Sequence, residues 1–245
     1  MGYEASAKYY DLFGEKPDLD YYISLGKIYK KALEIGVGTG RVALELAKKG
    51  VEVWGIDTSP SMLQVAKNKI TKQPPEVQNR ITLLQKDMTH FNLKETFSCI
   101  YIPASGLSHC ISTSDQVNCL QCVHTHLEDD GLFAFDLVLP GTTYDNTLRL
   151  IDTKTTDQAL ICRWIANKVD SAEQILHTTL IFEVYKNQKL TERIIETSTV
   201  SLIYKRELLL LLEKCNFHVE NIYGDFEKIE SVTDQVVVEA KKVIQ

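Results

Sequence analysis

The sequence predicts an α/β protein: a doubly wound, mostly parallel sheet of seven strands with an antiparallel β insertion after strand five. Three observations carry that expectation. Residues 32 to 41, Ala-Leu-Glu-Ile-Gly-Val-Gly-Thr-Gly-Arg, read as a buried strand, a tight glycine turn and a helix start. Short apolar runs then alternate with helical patterns as far as Val138, and such alternation makes a parallel sheet with helices on both faces. Between 158 and 203 the pattern changes to three long runs rich in β-branched and aromatic residues.

Bulk properties narrow the function. The chain has 245 residues, 44% hydrophobic and 24% charged, and a formal net charge of −6. That length suits one large α/β domain or a domain with an insertion. The acidic balance disfavours nucleic acid as a partner, since DNA and RNA need a concentrated basic surface. The densest basic group, Lys67, Lys69 and Lys72, reads as the solvated face of one helix. No apolar run reaches the roughly 20 residues that span a bilayer, and the start of the chain has no secretory pattern. Six cysteines spread through apolar contexts fit a cytoplasmic chain with reduced thiols.

In order, residues 3–13 and 19–29 read as two short amphipathic helices. Strand one spans 31–35, and the helix at 40–49 stops at Gly50. Strand two spans 52–56 and ends at Asp57. Ser59 and Pro60 supply the cap and first position of the helix at 60–71, which leaves Asp57 free for a ligand. Pro74-Pro75 breaks the chain before strand three at 81–85. Strand four at 97–102 runs into Pro103-Ala104-Ser105-Gly106-Leu107-Ser108-His109, a loop at the strand end where ligands of open α/β sheets bind. A helix at 115–127, capped by Ser114 or Asp115, leads to Gly131 and strand five. A loop over 140–156 precedes β runs at 158–169, 173–186 and 189–203, with a hairpin turn at 186–189. A helix at 204–215 and strands at 217–223 and 235–242 close the chain.

The chemistry gathers at the glycine turn. Its spacing is Gly-x-Gly-x-Gly, and Arg41 stands where a dinucleotide fold would place its last glycine. Glu34 adds a carboxylate beside the loop, which suits a cationic ligand better than a pyrophosphate. Asp57 lies at the tip of strand two, placed to accept both hydroxyls of a ribose, with Met62 one helical turn on, placed against a purine. Cys119, Cys122, His124 and His126 look like metal ligands on paper. One helix carries them all, whereas structural zinc draws ligand pairs from separate segments, so buried thiols and no metal are expected.

The stretch Glu34-x-Gly36-x-Gly38-x-Gly40, together with Asp57, Asp87, Tyr10-Asp11-Leu12-Phe13 and the block from Tyr204 to Phe226, resembles the class I S-adenosylmethionine-dependent methyltransferases, in particular their small-molecule branch. The resemblance covers about 7–139 and 203–242. It implies a Rossmann-like methyltransferase fold whose seventh strand runs antiparallel between strands five and six. The implied cofactor is S-adenosyl-L-methionine, leaving as S-adenosyl-L-homocysteine. Its implied contacts are Tyr10, Glu34, Gly36, Gly38, Asp57, Thr58, Met62, Asp87, Met88 and Pro103, with Tyr22 as a second choice for a hydroxyl near the methionine end. His109 is the candidate general base. A loop-shaping histidine is the competing reading, because transfer from a sulfonium can proceed mainly by alignment.

The same resemblance divides the chain into a cofactor-binding domain, 1–140 with 203–245, and an inserted β subdomain, 141–202, that covers the active site. Acceptor choice is then expected from Tyr144, Arg163, Trp164, His177 and Tyr185, with sheet extension or a homodimer through the insertion as the other use of this segment. One departure matters: Ile102-Pro103-Ala104-Ser105 replaces the Asn-Pro-Pro-Tyr type of tetrapeptide found where base or glutamine amino groups are methylated. The expected activity is transfer of a methyl group to an O or N of a small molecule by in-line displacement. The alternative is a cofactor-binding regulatory or partner protein without transfer activity, distinguished by whether the insertion leaves a pocket beside the methyl group. A nicotinamide dehydrogenase is disfavoured by Arg41.

Overall fold

The computed structural model describes residues 3–13, 16–141 and 144–244. A 3-10 turn, Ala7–Leu12, and helix α1 (Asp18–Ile28) come first. Then follow β1 (Lys31–Ile35), α2 (Arg41–Lys48), β2 (Glu52–Asp57), α3 (Pro60–Ile70), α4 (Pro75–Gln78), β3 (Ile81–Gln85) and β4 (Phe97–Ile102). Helix α5 (Thr113–His126) and β5 (Leu127–Val138) complete the alternating part. The seven-stranded sheet has the order β10-β11-β5-β4-β1-β2-β3, where β10 is Phe217–Tyr223 and β11 is Gln235–Lys242. Strand β11 runs antiparallel to both β5 and β10, and the other pairings are parallel.

Each strand sends alternate residues to opposite faces. On one face Leu33, Ile35, Ile100, Phe133 and Phe135 pack against Leu120 and Val123 of α5 and Leu208, Leu211 and Leu212 of α6 (Lys205–Lys214). On the other, Ala32, Val53, Tyr101 and Ala134 pack against Tyr22 and Leu25 of α1 and Val42 and Leu46 of α2. The strand order reverses between β1 and β4, so the crevice for a ligand opens beyond their carboxyl ends.

Three local expectations are revised. The stretch read as a loop over 140–156 contains a strand, β6 (Arg149–Thr155). It is the edge of a separate antiparallel sheet, β6-β7-β8-β9, with β7 Leu160–Asp170, β8 Ile175–Lys186 and β9 Lys189–Ser201. Helix α5 begins earlier than expected. Ser112 caps it, accepting from Asp115 N–H while Asp115 accepts from Ser112, a reciprocal capping box. Pro75 opens the short helix α4, since a missing N–H costs nothing in a first turn. The β8–β9 turn works without glycine: Asn187 and Gln188 both take positive φ, 49° and 64°, the geometry of a tight primed turn.

The second sheet is fastened over the first by the start of the chain. Phe13 packs with Ile161, Leu180, Phe182 and Val184. Glu196 of β9 accepts from the N–H groups of Ala5 (2.6 Å) and Ser6 (3.2 Å) and from the Ser6 hydroxyl. Glu192 accepts from Lys8 Nζ (2.7 Å) and Tyr9 OH (2.6 Å). From there Asp11 reaches back to the glycine turn, accepting from Thr39 Oγ1 and Lys69 Nζ, both at 2.8 Å.

Candidate active site

Two cavities meet at the carboxyl ends of β1 and β4. The first is a cleft of about 140 Å³ whose lining includes Gly36, Gly38, Ile56, Asp57, Thr58, Met62, Met88, Pro103, His109 and Tyr10. The second is a chamber of about 530 Å³ under the four-stranded sheet. Tyr3, Tyr10 and Ala104 line both, and the two tyrosine rings meet edge to face at 5.2 Å.

The glycine turn builds one wall of the cleft. Gly36, Gly38 and Gly40 take φ of 74°, 51° and 71°, a left-handed run that L side chains resist. A Cβ at Gly36 would meet nothing within 4 Å, so the backbone there faces open space. A Cβ at Gly40 would lie 3.1 Å from Ala66 Cβ, so this glycine also sets the close approach of α2 to α3. Asp57 is not free, as the sequence suggested. Its Oδ2 accepts from Gly38 N–H at 2.7 Å and its Oδ1 from Ser59 N–H at 2.8 Å. Each oxygen keeps a second lone pair, so the carboxylate stiffens the turn and can still accept from a ligand. Ser59 caps α3 by accepting from Met62 N–H, which sets the Met62 side chain into the cleft.

Several expected residues lie elsewhere. Glu34 is 2% exposed and lines neither cavity; it accepts from Tyr101 OH at 3.1 Å beneath the turn, and burial pushes its pKa up to about 8. Tyr22 is fully buried and donates to Asp136 at 2.8 Å. Asp87 is exposed outside the cleft lining, with Oδ1 accepting from the Thr89 N–H and hydroxyl. His109 lines the cleft, not the chamber, and desolvation there holds its pKa below the ordinary value.

Of the expected acceptor residues, only Arg163 faces the chamber. Its guanidinium lies 4.7 Å over the Phe13 ring and donates to Asp152 at 3.3 Å. Trp164, His177 and Tyr185 belong to the opposite face of the same sheet. There Trp164 and Tyr185 donate to Glu183, and His177 meets Thr199. Tyr144 hydroxyl accepts from Gly141 N–H, away from the chamber. The inward face instead presents Arg163, Ile165, Thr178, Leu180, Phe182 and Ser198.

The sequence reading missed three chamber features. Arg41 and Asp18 form a part-buried two-pronged ion pair on its wall. Tyr3 joins Tyr10 at the junction. Asp136, at the end of β5, holds the loop after β4. Its Oδ1 accepts from Tyr22 OH (2.8 Å) and Ala104 N–H (2.9 Å), and its Oδ2 from Ser105 N–H (3.0 Å). Ala104 and Ser105 have φ of 54° and 56°, and two N–H groups turned to one side make a cradle for an anion. The positive φ of both is tolerated because that carboxylate satisfies them. The pattern Phe135-Asp136-Leu137, an acid inside an apolar strand end, was the available signal.

The former metal candidates serve packing. Cys119 is fully buried, and His126 Nε2 accepts from Leu93 N–H, which fixes the ring. Among the described residues no group of three or more His, Cys, Asp or Glu is arranged to hold a metal.

Residues 32–131 match the family model of the methyltransferase domain. The match spans the glycine turn, Asp57, the loop after β4 and α5. Over that segment the chain is similar to a methyltransferase domain. A Geobacillus sp. (strain WCH70) protein named as a methyltransferase is 32% identical over 148 residues, 56% of this chain and 58% of the relative. The chain thus spans little more than half of that relative's length. The CcbJ methyltransferase from Streptomyces caelestis superposes with a TM-score of 0.83 at 22% identity, covering 97% of this chain and 96% of that one. An S-adenosylmethionine-dependent methyltransferase from Clostridium acetobutylicum gives 0.79 at 18% identity over 98% of both chains. These two likenesses extend over 97–98% of this chain, so the seven-stranded and the four-stranded sheet together form one recurring fold.

The cleft fits the cofactor of such a domain. It offers glycine backbone with open space before it, a carboxylate at the tip of β2 and apolar flanks from Ile56, Met62, Met88 and Pro103. It offers no cluster of lysine or arginine for phosphates; Lys86 is the only lysine or arginine lining it among the described residues.

Proposed function

We propose that this chain transfers a methyl group from S-adenosyl-L-methionine to an O or N of a small molecule held in the chamber. The observation that carries the proposal is the junction: the cofactor cleft and a roofed chamber of about 530 Å³ share Tyr3, Tyr10 and Ala104. A regulatory protein that only binds cofactor has no use for a second cavity at that point. The chamber is small and walled by the inserted sheet, which supports a metabolite rather than a polymer.

When bound, S-adenosyl-L-methionine supplies a methyl group already activated on a sulfonium. The chain's own residues then do three things. Gly36, Gly38, Asp57 and Thr58 hold the nucleoside and amino-acid portions, with Met62, Met88 and Pro103 flanking the base. Tyr10 and Tyr3 wall the junction and limit how a nucleophile approaches. The sheet β6–β9 walls the chamber and holds the acceptor in line, where positioning alone can supply several kcal/mol, about 7–11 in favourable cases. His109 lines the cleft side and shapes the loop after β4.

Filling the chamber tests this reading. Ser198→Trp places a large side chain into the chamber from β9, far from the glycine turn. Transfer of labelled methyl to small molecules of a cell extract is expected to fall at least roughly a hundredfold, with homocysteine-product affinity unchanged. Unimpaired transfer would contradict the chamber as acceptor site.

A further inference from the structure

The chamber holds six charged side chains from the described residues: Asp11, Lys16, Asp18, Arg41, Asp136 and Arg163. Most have a counter-charge. Asp11 meets Lys69, Asp18 meets Arg41, and Arg163 meets Asp152. Lys16 is exposed and donates to the Asp11 carbonyl. Asp136 differs. It is 5% exposed, and among the described residues no cation bonds to it; its three donors are neutral. Its Oδ1 accepts twice and is saturated, whereas its Oδ2 accepts once, from Ser105 N–H, and keeps one lone pair. A buried carboxylate without a cation is costly, and structures normally supply the partner. This one lines the chamber and bonds Ala104, which faces both cavities, so the missing partner belongs where the nucleophile enters.

We propose that Asp136 receives the acceptor, that the acceptor is an amine, and that its nitrogen donates to Asp136 Oδ2. This rests on the methyltransferase reading of the site. An ammonium entering the chamber supplies the absent counter-charge, and an alcohol or carboxylate does not. Burial pushes the Asp136 pKa up to about 6, closer to that of a useful proton acceptor. The balance is complete with a sulfonium methyl donor. The ammonium proton passes to Asp136 Oδ2, and the freed nitrogen lone pair forms the N–C bond. The electron pair of the breaking C–S bond stays on sulfur, and Asp136 returns its proton to solvent as the methylated ammonium leaves. The remaining body of the amine lies against Ile165, Leu180 and Phe182.

The experiment uses three probes of one shape and different charge: cyclohexylamine, cyclohexanol and cyclohexanecarboxylate. Each is titrated by NMR into full-length protein saturated with S-adenosyl-L-homocysteine. The wild type is expected to bind the amine about tenfold or more tightly than the alcohol, the range of one charge-assisted hydrogen bond. Asp136→Asn, checked for retained S-adenosyl-L-homocysteine binding, is expected to lose that preference. An amine that binds no better than the alcohol, including none that binds, overturns the proposal, and so does a preference that survives in the variant. The wild-type comparison stands by itself if the variant does not fold. Failure of S-adenosyl-L-homocysteine to bind the wild type removes the methyltransferase reading instead, and this proposal with it.

Discussion

Glu34, Asp57 and Asp136 are three carboxylates within one turn of chain from the same crevice, and their surroundings give them three tasks. Asp57 keeps lone pairs toward the cleft while its other pairs hold Gly38 and Ser59. Asp136 sits in a cradle of main-chain donors at the junction. Glu34 is sealed below the turn with Tyr101, where burial pushes its pKa up to about 8. A carboxyl whose folded pKa lies above its unfolded value is protonated more readily in the folded state, so stability falls as pH rises through that window. For Glu34 the window runs from the ordinary carboxylate range to about 8. Glu34→Gln is therefore expected to gain on the wild type as pH rises from 5 to 9, by roughly 1 kcal/mol or more, in denaturant unfolding at each pH. A difference independent of pH would show that Glu34 ionises without cost. The residue pattern that suggested a ligand carboxylate at 34 carries no information about depth, and the side chain is buried below the turn.

At the scale of elements, legibility followed periodicity. Strands with one buried neighbour on each side and helices with an apolar stripe announce themselves, and the expected α/β order over 31–138 matches the observed one. Strand β6 did not. Arg149–Thr155 is an edge strand exposed at nearly every position, so it carries no apolar alternation to read. The faces of β7 and β8 were also ambiguous. Trp164 beside Ile165, and Ile181 beside Phe182, put apolar side chains on both faces, and one residue of phase separates chamber from outer surface. Register alone decided that Arg163 points in and Trp164 and Tyr185 point out. The fastening of residues 3–13 to β9 was invisible because Glu192 and Glu196 find their partners more than 180 positions away. Glu196→Ala is expected to speed amide hydrogen exchange of residues 4–13 at least roughly tenfold, since charge-assisted bonds hold that segment. Amides within the β7–β8 pairing should be unaffected. Unchanged exchange at 4–13 would mean that Phe13 packing, not Glu196, secures the segment.

For the molecule as a whole, the fold places two cavities of different character at one topological switch point. The parallel sheet supplies the cofactor side, through the loops after β1, β2 and β4. On the proposed reading the inserted sheet supplies the acceptor side, and the chain start ties the two sheets together. The cofactor side was legible because its chemistry lies in local patterns such as the glycine spacing and Asp57. The acceptor side was not, because it is assembled from four strands, a remote N-terminal segment and the end of β5. No helix among the described residues is long and apolar enough to cross a membrane.

The central claim is that the cleft takes S-adenosyl-L-methionine and not a dinucleotide. Thermal unfolding with S-adenosyl-L-methionine, S-adenosyl-L-homocysteine or NADH, each at the same concentration, tests it most directly. A ligand bound only by the folded state adds about 2.7 kcal/mol at a hundred times its Kd, or roughly 5 to 10 °C for a chain of this size. That rise is expected with the first two compounds and none with NADH. A rise with NADH alone would contradict it, and the glycine turn would then have to be reinterpreted as a dinucleotide site despite Arg41.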